Sequence, residues 1–591
     1  SVFAWMYPEG TGWDAPLMGA SRQPPPMPGP EALDLRGQSV MANRKANEWV
    51  AGDAAVGSNS WAVSGSLSAN GRAIVANDMH LGLRVPNIWY RARLIGSGEM
   101  SFDVSGVTLP GTPVVITGSN GNVAWAFTNS YGDWSDAVVL KPGSEPGTYI
   151  VAGRDRRFEV FEEIIEVKGA PSESLVIRET VWGPVLEDAT YPRGELAVSW
   201  IAHHQEAVNF AHLDLETTVN VTEAMEIANR AGIPPQNFIA GDSDGNIAWT
   251  IAGRIPGRGT AAADVPSDWS RGNGWNGWLS PSEYPRILNP AGGRLWTANA
   301  RVTDGPALRK VGNGGYALGA RAAQIRDGLA AKTSLQPADM LVIQLDDRAL
   351  FLKRWRQLLL ELLDEDAVRG NAKRARFRDI IEDWEPTASA DAAGYRLVRD
   401  FRGSARDKVF EFLSRPIIQR FGADVPLRIS NQFEQPLWQL VTERPAHLLP
   451  ANYASWADML LGVVDERLDD YARNYDGPLE RRTWGERNTT AIRHPLSSAL
   501  PMFSSLLDMS PVPLSGDSNM PRVQGPAFGA SERFGVSPGD EAAGYLHMPT
   551  GQSGHPLSDF YRKGHDDWEG GRASAFLPGE AVHRLHLQPQ P

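Results

Sequence analysis

The chain of 591 residues contains no cysteine. That absence excludes disulfide scaffolds, thiolate zinc sites, iron–sulfur clusters and any cysteine nucleophile. Long apolar runs are missing too. The best stretches, such as Met340-Leu-Val-Ile-Gln-Leu345, fall far short of the roughly 18 residues a membrane span requires. There is no basic surplus either: 57 Lys and Arg stand against 70 Asp and Glu, a net charge of −13 and a pI of about 5.4. With its basic residues scattered, the chain lacks the footprint of a nucleic-acid or anionic-membrane binder, so neither nucleic acid nor membrane insertion is expected. The first residues lack the basic and apolar blocks of a signal peptide, and a start at Ser1 reads as processed or truncated. What remains is an ordinary globular composition, 42% hydrophobic and 21% charged, long enough to bury a large core.

Texture changes along the chain. Residues 1–57 hold a Pro-rich stretch, Gln23–Pro30, and an Ala/Gly stretch, Ala51–Gly57, and read as an extended spacer. From Ser58 short alternating runs separated by Gly, Asn and Pro predict a β-rich region to about Asn299, with strands at Glu159–Val167, Val176–Val181 and Ile247–Ile251. One helix is expected inside it at Val221–Ala231, opened by Thr222. Between about 318 and 421 the period turns helical, with the run Leu350–Leu363 as its strongest signal. The remainder is mixed and rich in Pro and Gly. The 20 tryptophans fit core or pocket walls better than chemistry.

Some motifs read as ordinary turns. Gly241-Asp-Ser-Asp-Gly245 matches the nucleophile-elbow pattern, but an alternating strand follows it where a helix is needed, so a β-hairpin turn is expected. A calcium loop at Asp242 and Asp244 lacks the downstream glutamate. The histidines His203, His204 and His212 do not have metalloprotease spacing and read as loop and strand-end residues.

Gly57-Ser58-Asn59-Ser60-Trp61 and Ala73–His80 flank Asn70-Gly71, the strongest short hairpin signal. A two-residue loop there sets His80 opposite Trp61 and Ser58 opposite Leu83, with Ser58 and His80 about 10 Å apart at one open end. A serine opening a strand directly after an Ala/Gly spacer is what an N-terminal nucleophile looks like once the Gly57–Ser58 bond is cut. On spacing alone, a polar strand start is the better reading.

An ordered set of motifs goes further. Gly57-Ser58-Asn59-x-Trp61, Asn77-Asp-Met-His80, Pro110-Gly-x-Pro113, Asn120-Gly-x-Val-Ala-Trp125-x-x-Thr128, Pro235-Gln-Asn237, Gly253-x-Ile-Pro-x-Arg258, Thr297-Ala-Asn299, Trp484-Gly485, Gly516-Asp517 and Gly551-Gln-Ser-Gly-His-Pro556 stand in the order seen in the penicillin acylase family of N-terminal nucleophile hydrolases. The resemblance runs from about residue 5 to the C-terminus. It implies an α+β fold, a four-layer αββα sandwich with a helical insertion at about 318–421, and a precursor that cuts itself before Ser58. Residues 1–57 then resemble the tail of a small chain plus spacer, with upstream residues expected to be missing, and 58–591 the large catalytic chain. The expected partners are that small chain and an acylated small-molecule amide.

By the same resemblance Ser58 is the nucleophile and its freed α-amino group the base. An α-amino group, with an ordinary pKa of about 7.7–8.0, can take and return a proton near neutral pH. The backbone N–H of Asn129 and the side chain of Asn237 match the oxyanion donors, His80 matches a partner orienting the serine, and Arg258 matches an arginine supporting the oxyanion asparagine. Gly132-Asp133-Trp-Ser-Asp136 resembles a loop supplying calcium ligands in some members, so no cofactor is required and structural calcium at Asp133 and Asp136 is the one metal expectation. The Asn77–Arg84 context leans the substrate toward long-chain acyl-homoserine lactones, with β-lactam side-chain removal as the alternative. A metal-dependent amidohydrolase and a catalytically dead binding module are the other classes. The resemblance implies a periplasmic or secreted location.

Overall fold

A computed structural model describes residues 2–37, 57–98, 101–186, 194–260, 265–422, 425 and 427–588. Of the expected spacer, residues 1–57, residues 38–56 lie outside the described residues. Strand β1, Gly57–Val63, is buried at all seven positions. A strand covered on both faces needs apolar or satisfied residues throughout. Along it Trp61 and Val63 join one apolar cluster and Ala62 another, as the two-residue period of a strand requires.

The cluster around Ala62 lies between two antiparallel sheets. In the first, β1 pairs with β2, Ile74–Gly82, and with the strand Arg294–Thr297, and β2 continues to Arg533–Val536 and Tyr545–His547. The second runs from β3 (Tyr90–Gly96) through β4 (Phe102–Leu109), β5 (Thr112–Ser119) and β6 (Val123–Asn129) to the strands Gln236–Asp242, Ile247–Ala252 and Arg286–Leu288. Helices close both outer faces. Helix α2, Val221–Arg230, lays Val221, Ala224, Met225 and Ala228 on the second sheet. Helices α4 (Ala320–Ala330) and α5 (Pro337–Gln344) follow α1 (Val2–Met6) and α3 (Gly305–Val311) in the chain and cover the first sheet beside Trp61 and Val63. The layering is αββα, as the resemblance implied.

The structure refines three expectations. Helix α2 is capped by Asn220, whose side chain accepts from the Glu223 N–H at 3.0 Å, and not by Thr222. Gly241–Gly245 lies at the turn between the antiparallel strands Gln236–Asp242 and Ile247–Ala252, with Gly245 at φ 90°, so it is a hairpin and not an elbow. The helical region does not end near 421: it continues through Glu434–Glu443 and Trp456–Asn474, and one apolar cluster joins these helices to Trp5, Met6 and Leu35. Its first helices, α4 and α5, belong to the sandwich.

Candidate active site

The β1–β2 register is four residues away from the sequence expectation. Gly57 pairs with His80, Ser58 with Met79 and Trp61 with Ala76. Asn70-Gly71 is not a two-residue hairpin loop. The connection runs from Ser64 to Ala73 and contains a 3-10 turn at Gly65–Leu67, and Ser68 forms a bridge to Leu335. Pairing with α5's neighbourhood thus overrides the local turn signal. The correction brings His80 closer to the Gly57–Ser58 bond.

With that bond intact, the Ser58 hydroxyl donates to the Gly57 carbonyl at 2.5 Å. A Cβ on residue 57 would stand 2.8 Å from His80 Nδ1, so the position before the serine accepts only glycine without a shift. His80 is almost fully buried, and its Nε2 lies 2.6 Å from Asp78 Oδ2. A carboxylate only accepts, which puts the proton on Nε2 and leaves Nδ1 a lone pair facing Gly57. Burial lowers the His80 pKa against the pull of Asp78, so the ring is neutral at physiological pH. Asn59 Nδ2 also donates to Asp78 Oδ2, at 2.9 Å, and steadies that carboxylate.

Two residues complete the surroundings of Ser58, and sequence reasoning gave neither a role. The Ser58 N–H donates to Asn299 Oδ1 at 2.6 Å, across 241 positions of chain. Asn299 sits at φ 64°, a left-handed conformation that asparagine tolerates, just beyond the strand Arg294–Thr297. Its Nδ2 donates to the Asn129 carbonyl at 3.0 Å and ties β6 to the end of the strand Arg294–Thr297 beside β1. Arg321, in the first turn of α4, donates to the Ser58 carbonyl at 2.8 Å, to Asn59 Oδ1 at 2.7 Å and to Asn299 Oδ1 at 3.0 Å. Burial lowers its pKa to about 10, with Asp78 pulling back, so it stays a cation at neutral pH. Asn299 stood in the Thr297-Ala-Asn299 motif and could have been singled out there. The signal for Arg321 was weaker: an arginine flanked by alanines on a helix face that is otherwise core.

Asn237 and Arg258 are placed differently from their expected roles. Asn237 is buried, its Nδ2 donating to Thr128 Oγ1 at 3.1 Å and its Oδ1 accepting from Trp249 Nε1 at 3.2 Å. Its amide is thus engaged inside the second sheet, and Asn299 holds the position against Ser58. Arg258 meets the other two expected residues: its Nη1 lies 3.0 Å from Asp133 Oδ2 and 3.4 Å from Asp136 Oδ2. Asn129 closes β6 beside Asn299, and its Oδ1 accepts from the Tyr131 N–H at 3.1 Å. Of the histidines, His212 donates through Nε2 to the Val115 carbonyl, and His203 and His204 pack on Trp200 and Trp278.

A serine at the start of an interior strand of an αββα sandwich, with its N–H and carbonyl each held by a buried side chain, defines the class: the fold is that of an N-terminal nucleophile amide hydrolase. The chain belongs to the penicillin amidase family, whose model matches residues 4–580. It is 27% identical to the penicillin acylase 2 proenzyme of Pseudomonas sp. (strain SE83), over 90% of this chain and 68% of that protein. It is 26% identical to the acyl-homoserine lactone acylase QuiP of Pseudomonas fluorescens (strain Pf0-1), over 99% of this chain and 72% of that protein. Among solved structures it is similar to the thermostable penicillin G acylase of Alcaligenes faecalis, with a TM-score of 0.64 and 19% identity, covering 90% of this chain and all of the other. No helix among the described residues is long and apolar enough to cross a membrane.

Proposed function

We propose that this chain cuts itself between Gly57 and Ser58 and then hydrolyses the amide bond of an N-acylated small molecule through an acyl-Ser58 intermediate. The observation that carries the reading is the hold on Ser58, with Oγ on the Gly57 carbonyl and N on Asn299. In self-cleavage Oγ attacks the Gly57 carbonyl carbon, the C–N bond breaks, and the Ser58 nitrogen leaves as an amine while Gly57 becomes an ester on Oγ. Water then hydrolyses that ester. His80 Nδ1, facing Gly57, is the nearest base for the hydroxyl proton.

In turnover the freed α-amino group accepts the Oγ proton through a water as Oγ attacks the substrate carbonyl, and returns it to the departing amine. Arg321, a cation linked to the same Asn299 Oδ1, disfavours protonation of that amine and lowers its pKa, which keeps it a base at neutral pH. The Asn129 N–H and the second N–H of Asn299 Nδ2 are the oxyanion donors in this reading, with Asn299 taking the role first assigned to Asn237. A second water, activated by the same amine, releases the acid and restores Ser58.

The Asn77–Arg84 context and the likeness to an acyl-homoserine lactone acylase favour acyl-homoserine lactones as substrates, a quorum-quenching activity. Removal of β-lactam side chains is the second reading, favoured by the likeness to penicillin acylase 2. The enzyme pairs with a small chain from its own precursor and acts in the periplasm or outside the cell. Intact-mass measurement tests the mechanism: a fragment beginning at Ser58 is expected, whereas Ser58→Ala remains one uncut chain without amidase activity. A cut and active Ser58→Ala protein would refute it. Turnover of acyl-homoserine lactones of varied chain length against penicillin G and glutaryl-cephalosporins decides between the substrates.

A further inference from the structure

The loop that leaves β6 after Asn129 is held by a guanidinium in the place where a metal ion was expected. Arg258 Nη1 lies between the two carboxylates, 3.0 Å from Asp133 Oδ2 and 3.4 Å from Asp136 Oδ2, and Nη2 donates to the Asp133 backbone carbonyl. Trp275 Nε1 donates to the same Asp136 oxygen at 2.6 Å. All three charged side chains are largely buried, with exposures of 15%, 15% and 5%. These are the oxygens a calcium ion would need, and calcium asks for six to eight of them at about 2.3–2.6 Å. The residues do not fit such an ion, because a cation already lies among the oxygens and would repel a second at close range.

The neighbouring cleft follows the same pattern. It has a volume of about 800 Å³ and is lined by Glu9, Asp133 and Asp304 among others. Arg22 pairs with Glu9 and, at 2.9 Å, with Asp304, as Arg258 pairs with Asp133. Each of these three carboxylates therefore faces an arginine.

The backbone beneath Arg258 is rigid. The Gly257 N–H donates to the Gly277 carbonyl at 2.8 Å and the Asn276 N–H to the Gly257 carbonyl at 2.7 Å, with a bridge between Pro256 and Trp278. The loop it grips is anchored on its other side: the Asp133 N–H donates to the Val311 carbonyl at 2.9 Å and the Gly314 N–H to the Tyr131 carbonyl at 2.8 Å. Asn129 begins this loop and bonds Asn299 against Ser58. The path from the guanidinium to the nucleophile is thus one short, tethered segment.

We infer that Arg258 is a built-in cation that fixes the Asn129–Asp136 loop, and with it the Asn129 backbone beside Ser58, in place of a calcium ion. It is a positioning residue. A guanidinium is covalently part of the chain and does not diffuse away, so the clamp survives chelation. The consequence for turnover rests on Ser58 being the nucleophile, and the consequence for calcium does not.

The test compares melting temperature, calcium content and kinetics in EGTA and in millimolar calcium. The wild-type protein is expected to hold no stoichiometric calcium after dialysis against EGTA, with unchanged melting temperature and kcat. Arg258→Met, which exposes the two carboxylates and the carbonyl, is expected to melt lower in EGTA and to lose kcat by about 10²-fold with little change in KM, as a displaced catalytic backbone predicts. Calcium is expected to restore both quantities, and Arg258→Met/Asp133→Asn/Asp136→Asn to abolish that response. Wild-type protein that loses stability in EGTA and regains it with calcium, through a response removed by Asp133→Asn, would overturn the inference. So would an Arg258→Met protein that folds, turns over normally and ignores calcium. Should Arg258→Met fail to fold in either condition, the wild-type calcium content decides: stoichiometric calcium overturns the inference, and none supports it.

Discussion

Arg321 in the sandwich and the arginine pair around Glu434 in the helical region are satisfied differently. In the helical region Glu434, with no exposed side-chain surface, accepts from Arg354 at 2.5 Å, Trp355 at 2.8 Å and Arg402 at 2.7 Å. Burial pushes its carboxyl up, and the two arginines overcome that and hold it below its ordinary pKa. Arg354 is further sandwiched on the Trp438 ring at 4.2 Å. Charge meets charge, and the cluster locks the helices Lys353–Leu362, Ala393–Phe421 and Glu434–Glu443 together. In the sandwich Arg321 gives its hydrogen bonds to three neutral oxygens, those of Ser58, Asn59 and Asn299. A buried cation on neutral acceptors keeps its field available to the reacting groups, whereas one closed on a carboxylate acts only on structure.

This contrast can be broken at either end. The largest effect is expected from Ser58→Ala, which removes processing and turnover entirely while the melting temperature of the uncut chain stays close to that of the unprocessed parent, read by mass spectrometry and calorimetry. Next comes Glu434→Ala. It leaves the largely covered Arg354 and Arg402 without their counter-charge and is expected to cost about 3–5 kcal/mol of stability in denaturant titration, with kcat preserved in the folded fraction. Asn299→Ala is expected to do the reverse: kcat falls about 10²–10³-fold, roughly 3–4 kcal/mol of barrier, with a smaller stability loss. If Asn237→Ala matched that kinetic loss and Asn299→Ala did not, the assignment between the two asparagines would be inverted.

The smallest effect is a shift in pH dependence. A cation beside the α-amino group lowers its pKa, so removing that cation raises it. Arg321→Gln is therefore expected to move the acid limb of kcat/KM to higher pH by about one unit, toward the ordinary α-amino range of 7.7–8.0. An unchanged limb would mean that Arg321 acts only as a brace.

Ser58 and His80 were legible because local signals surround them: a spacer, a Gly-Ser junction, alternating strands and an ordered run of motifs. Their alignment was not. The turn chemistry of Asn70-Gly71 predicts a tight loop, but Ser68 bridges to Leu335 and the Gly65 N–H donates to the Gly245 carbonyl, so contacts from distant segments open the connection and shift the register by four residues. Asn237 drew attention through its neighbours Pro235 and Gln236. A buried asparagine bonded to Thr128 and Trp249 carries the same local signature as one bonded to a nucleophile. Arg258 drew attention as the support of an oxyanion asparagine, and only the tertiary structure shows that it lies between Asp133 and Asp136 instead.

By itself the sequence determined the β-rich texture from Ser58 to about Asn299, the switch to helices near 318, the absence of thiol chemistry and the candidate nucleophile, because these depend on composition, on periodicities of two and 3.6 residues, and on neighbours within a few positions. The tertiary structure alone decided which side chains meet Ser58. Asn299 and Arg321 reach it from 241 and 263 positions away. Such meetings are set by how two sheets and their covering helices stack, a long-range packing result that leaves no local trace in the chain.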